Sequence, residues 1–148
     1  MEDNRKITWS EFEDEIQKRS NLKDTSFRLT GPWKKFLRSQ DGYQIYVVDG
    51  EWINNNISIL YGHGGHGCVH EFIPMDEIWV SKCHMNCDCV NSYPGKPMSE
   101  KFMDSTILHE IKENIEMRKG ENFWIAHNKA LDEERKAGLI STPYTELK

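Results

Sequence analysis

The sequence predicts an α+β fold, in which a small, mostly antiparallel sheet carries an N-terminal helix and two C-terminal helices packed against it. Three observations lead there. β-Branched and aromatic runs, broken by Gly, Pro, Asn and Asp, fill the chain between residues 42 and 81. Apolar residues recur with a helical period from about Phe102 to Gly120 and again from Asn122 into the 130s. Near the N-terminus, Thr8 and Glu11 have the spacing of a capping box.

Taken in order, the first helix draws an apolar edge from Ile7, Phe12 and Ile16 and ends near Arg19. The stretch "GPWKKFLR" (31–38) sets Trp33 and Phe36 among Lys34, Lys35 and Arg38, and reads as a partly solvated helix or turn in preference to a basic patch. In "GYQIYVVDGEWI" (42–53) two β-rich runs flank Asp49-Gly50, a strong hairpin signal. A further short strand is expected at "ISIL" (57–60), and "CVHEFIPMDEIWVS" (68–81) reads as two strands joined at 74–76. Residues 83–98, rich in Cys, Asn, Gly and Pro, form a loop or Cys-rich insertion. Gly120 is the expected C-cap of the first C-terminal helix, and 138–148 an extended or flexible tail.

A chain of 148 residues suffices for one core, so a single domain spanning 1–148 is expected. Its net charge of -5 argues against nonspecific nucleic-acid binding, which needs a basic face to displace counterions from phosphates. No run approaches the roughly 18–20 apolar residues of a membrane span, and the N-terminus is charged and polar throughout. We therefore expect no membrane association and a cytoplasmic protein, in a host's cytoplasm if the source is viral. In that compartment Cys68, Cys83, Cys87 and Cys89 are reduced thiols or metal ligands rather than a disulfide framework.

The stretch "STILHEIKENIEMRKG" (105–120) carries the chemistry. At about 100° per residue, Ile107, Leu108, Ile111 and Ile115 share one side of the helix while His109, Glu113 and Glu116 share the other. His109 and Glu113 are one turn apart, the spacing by which one helix offers two ligands to a divalent ion, and Glu110 is offset enough to touch a metal-bound water. In the next helix, His127 lies on the stripe of Phe123, Ala130 and Leu131 and so points inward. The short connection at Gly120 folds this helix back, so that the first is sandwiched, isoleucines on the sheet and polar face under its partner. The candidate metal ligands are thus His109, Glu113 and His127, with Zn2+ or another divalent transition metal, and Glu110 as general base. Against this stands the plainer reading of a solvated helix face and a core histidine.

Two further constellations stand out. In "YGHGGHGCVHE" (61–71) the glycines permit close approach, and His66 is the candidate catalytic group as an oxyanion stabiliser or positioner. His63 and Glu77 are candidate substrate-binding residues. "CHMNCDC" offers Cys83, His84, Cys87 and Cys89 as a possible second metal site, though not at paired Cys-x-x-Cys spacing, and unligated thiols are the simpler account.

"HEIKE" followed by a distant His resembles the zincin metallopeptidases, with Glu113 where the second His belongs and His127 in place of the downstream ligand. The resemblance implies a zincin-like sandwich and a metal-activated water that attacks a peptide, amide or phosphoester bond in a small-molecule or peptide substrate, with "DEIWV" as a wall for an extended chain. "GGHG…FIPMDEIWV…LHEIKE…AHNKA" also resembles small phage-like and microbial proteins. Two alternatives stand beside a hydrolase: a viral or accessory binding module that inhibits or recruits a protein partner through aromatics such as Trp33 or Trp52, and a structural zinc protein centred on the cysteines.

Overall fold

The computed structural model describes residues 28–84 and 96–138. The expected N-terminal helix, Cys87 and Cys89 lie outside them, as does the tail beyond Gly138. Within them the chain is α+β, with β1 (Lys34–Gln40), β2 (Tyr43–Val48), α1 (Gly50–Asn56), β3 (Gly64–His66), β4 (Glu77–Ser81), α2 (Glu100–Arg118) and α3 (Phe123–Ala137). The four strands make one sheet in the order β1-β2-β4-β3. Its two outer pairs are antiparallel and its central pair, β2 with β4, is parallel.

The hairpin turn belongs to a different Asp-Gly pair from the one the sequence favours. Asp41 and Gly42 join β1 to β2 with φ of 52° and 87°, the left-handed pair of conformations that a two-residue turn of this kind demands. Asp49 instead caps α1, its carboxylate accepting from the Trp52 amide at 3.1 Å. The chain after Asp49-Gly50 reaches Asn54, Asn55 and Asn56, poor strand formers, and turns helical. Residues 34–38 are strand, not helix or turn, because Phe36 and Tyr46 pair across β1 and β2 with ring centroids 5.7 Å apart. "ISIL" is a turn, and residues 68–76 hold no strand. The strand partner of β4 comes from the glycine run: a Cβ on Gly64 would stand 2.7 Å from Thr106 Cγ2, so only glycine lets β3 lie this close to α2.

Alternation along β4 divides the core in two. Ile78 and Val80 join Ile45, Phe102, Ile107 and Ile111 under α2. Trp79 joins Val48, Ile53, Tyr61 and Ile73 on the other face. Every residue of β4 is buried, as expected of a strand covered on both faces and paired on both edges. Ser99 caps α2 by accepting from the Phe102 amide, and Asn122 caps α3 by accepting from that of Ile125. Gly120, at φ 107°, reverses the chain so that α3 lies on α2, with the buried Ala126 and Ala130 letting the two helices approach. α2 is therefore sandwiched between sheet and α3, as the pattern of isoleucines and polar residues predicted, and its polar face is sealed from water.

Candidate metal centre

That sealed face brings three donor atoms together. His109 Nε2 lies 3.0 Å from Glu113 Oε2 and 3.1 Å from His127 Nδ1, and His127 Nδ1 lies 3.0 Å from Glu113 Oε2. The triangle is nearly equilateral, and an ion bonded at about 2.0–2.2 Å to each corner needs only a few tenths of an ångström of opening. Behind it, His109 Nδ1 donates to Glu134 Oε2 at 2.8 Å, while the Ser105 hydroxyl donates to the other Glu134 oxygen. A carboxylate placed behind an imidazole in this way orients the ring and raises its basicity. Phe123 stacks on His127 with ring centroids 5.4 Å apart, and Trp124 meets it edge-on.

The second oxygen of Glu113 faces β3, where His66 Nε2 lies 2.8 Å from Glu113 Oε1 and 4.0 Å from Glu110 Oε1. His66, Glu110 and Glu113 thus form a second group, their ligand atoms within 4.8 Å of one another. The same closeness leaves two carboxylates competing for one buried space. Burial, reinforced by the neighbouring Glu113 charge, pushes Glu110 up to about 8. Burial works against Glu113 as well, but hydrogen bonds from His109, His127 and His66 outweigh it and hold that carboxyl well below the usual range. For His109 burial opposes the charged form, and contacts with Glu113 and Glu134 outweigh it, raising the imidazole well above its ordinary value.

Of the residues singled out in the sequence, the structure assembles His109, Glu110, Glu113, His127 and His66 into one cluster. Glu116 lies on the polar face but outside the cluster, ringed by Lys112, Lys129 and Lys119, which hold its carboxyl at about 2. His63 stands apart, its ring 5.5 Å from that of His84 and 5.7 Å from Phe102, and burial with the nearby His84 pushes it down to about 4. Glu77 is not brought to the cluster. It shares the Trp79 face of β4, away from α2, and is engaged by Lys34 at 2.8 Å, Arg28 at 2.9 Å and the Trp79 indole N–H at 2.8 Å. β4, which carries "DEIWV", is an inner strand, so it has no free edge for an extended chain to pair with. Cys68 and Cys83 are in no disulfide, and the described residues of "CHMNCDC" are Cys83 and His84 alone. Trp33 stacks on Trp52 at 4.8 Å on the sheet face opposite α2, leaving Trp52 partly exposed.

Four residues of the cluster were not read from the sequence: Glu134, Ser105, Asn114 and Tyr43. Glu134 had a signal, since it lies two turns beyond His127 on the side of α3 that buries Ala126 and Ala130, where an acidic residue is out of place without a partner. Asn114 and Tyr43 had none, because their bond, Tyr43 O–H to Asn114 Oδ1 at 2.7 Å, joins positions 71 residues apart. No helix among the described residues is long and apolar enough to cross a membrane. No protein-family model, curated protein or solved structure matches the chain.

Proposed function

We propose that this protein is a cytoplasmic, metal-dependent hydrolase with zincin-like chemistry, acting on a peptide, amide or phosphoester bond. One observation carries the reading: two imidazole nitrogens and one carboxylate oxygen meet within 3.1 Å in a buried site, with the Glu134 carboxylate behind one of them. Two histidines and a glutamate leave a coordination position open, the pattern of catalytic rather than structural zinc. Zinc bound there would lower the pKa of a coordinated water from about 15.7 towards about 7. His109, Glu113 and His127 supply the ligands. Glu110, next in sequence to the first ligand, would be ionised by the nearby cation and could then take the water's proton and pass it to the leaving group. With an ion bound, Glu134 would keep the His109 proton on Nδ1 and turn its Nε2 lone pair to the centre.

Elemental analysis of protein purified without added metal, followed by a hydrolysis screen, tests this. One equivalent of a transition metal is expected in wild type and in Glu110→Gln, with turnover only in wild type. His109→Ala should lose both. Absence of metal, with none taken up on adding zinc, would leave the polar face without this function. The alternative of a binding module draws on the exposed Phe36, Leu37 and Trp52, and predicts partner binding indifferent to Glu110→Gln.

A further inference from the structure

The two imidazoles that meet Glu113 from α2 and from β3 differ in what their Nδ1 atoms face. Behind His109 the Glu134 carboxylate accepts from Nδ1 at 2.8 Å, and Nε2 is turned to the centre. His66 is reversed. The backbone N–H of Cys68, which can only donate, points at His66 Nδ1 from 3.2 Å. Nδ1 must therefore carry the lone pair, and the proton sits on Nε2, 2.8 Å from Glu113 Oε1. The Asn114 amide agrees with this assignment: its Nδ2 lies 3.1 Å from the same His66 Nδ1, and its Oδ1 accepts from the Tyr43 hydroxyl. His66 and Asn114 are both 0 % exposed, so no water competes for these bonds.

We infer that His66 is a positioning residue whose Nε2–H occupies Oε1 of Glu113, leaving Oε2 as the one oxygen offered to a metal, so that the centre holds one ion and not two. The inference rests on the reading that His109, Glu113 and His127 bind a metal. It rejects a dinuclear centre in which Glu113 bridges to a second ion held by His66 and Glu110, although those ligand atoms lie within 4.8 Å of each other. Coordination through His66 Nε2 would move its proton to Nδ1, placing two hydrogens head to head between Nδ1 and the Cys68 nitrogen, 3.2 Å apart. It also replaces the role of oxyanion stabiliser expected for His66, since that N–H already has an acceptor. With Oε1 engaged, Glu113 cannot chelate through both oxygens, and the position beside Glu110 stays open for water.

The test is a zinc titration of wild type, His66→Gln and His66→Ala, joined to two-bond nitrogen–proton correlation spectra of the 15N-histidine-labelled full chain. The expected result is one equivalent of zinc, with His66 protonated on Nε2 before and after zinc is added. The Gln variant, whose side-chain N–H reaches the place of Nε2–H, should bind zinc close to wild type, while Ala should bind about 10–100-fold more weakly. A second equivalent that both variants lose, with His66 Nε2 becoming metal-bound, would overturn the inference and leave the hydrolase reading standing. A Gln variant no better than Ala would overturn it too. No zinc in wild type would bring down both.

Discussion

Two buried glutamates, Glu77 and Glu113, are 1 % and 3 % exposed, and their surroundings are opposites. Glu77 is answered by Lys34, Arg28 and an indole N–H, which need no change of protonation and leave it nothing further to bind. Glu113 is answered by three imidazoles, whose protons can move, and crowded by a second carboxylate, Glu110. A buried carboxylate closed by fixed cations holds two segments together. One surrounded by titratable rings and a like charge has partners that can give up their protons to an arriving cation, and on the reading proposed above that difference separates scaffold from site.

The strongest way to break the contrast is Glu77→Gln. It takes the counter-charge from the Lys34 ammonium, whose side chain is 4 % exposed and which keeps the Leu29 carbonyl and the Tyr46 and Trp79 rings, and should cost about 3 kcal/mol in urea unfolding while leaving metal content untouched. An intermediate effect is expected from Glu134→Gln, which frees the His109 tautomer: zinc affinity by competition with a chelator should fall about 10–100-fold with little change in the unfolding curve.

Glu110→Gln sharpens the contrast through pH. Burial and the Glu113 charge push Glu110 up to about 8 in the folded chain, against an ordinary value of 4.5 when unfolded. Between these values folding takes up a proton, so the stability of wild type falls as pH rises through the window. The Gln variant cannot ionise. It should be more stable than wild type by about 1–3 kcal/mol above pH 8, with the advantage shrinking towards pH 4.5, as thermal melts across that range would record. The smallest effect belongs to the Glu77 side of the sheet: Asp49→Ala removes the α1 cap at a cost of about 1 kcal/mol, again without touching the metal.

How much of this was legible follows the range of each interaction. His109, Glu113 and His127 could be placed together because helical period and a short turn fix their relative positions from local geometry. His66 could be singled out from its glycines, but its partner Glu113 lies 47 residues away and the sense of its hydrogen bonds is set by a backbone amide, so these contacts were not readable. The sheet fared unevenly for the same reason. The Asp-Gly signal occurs twice, at 41–42 and 49–50, and which pair turns depends on what the following residues can build. β3, with its two glycines, carries little β propensity and is held by its pairing with β4, while α2 on one side and His70 and Ile73 on the other leave no room for larger residues.

α3 adds a consequence in time. It delivers both His127 and Glu134, yet it meets the rest of the molecule through α2 and a small cluster of Cys68, Val69, Met75 and Met117, with alanines at the helix contact. With small alanines at that contact, α3 is expected to open before the sheet does. Any ion in the cluster would then leave at the rate at which α3 lifts, and the pace of amide exchange along 123–137 would be the clock of metal release.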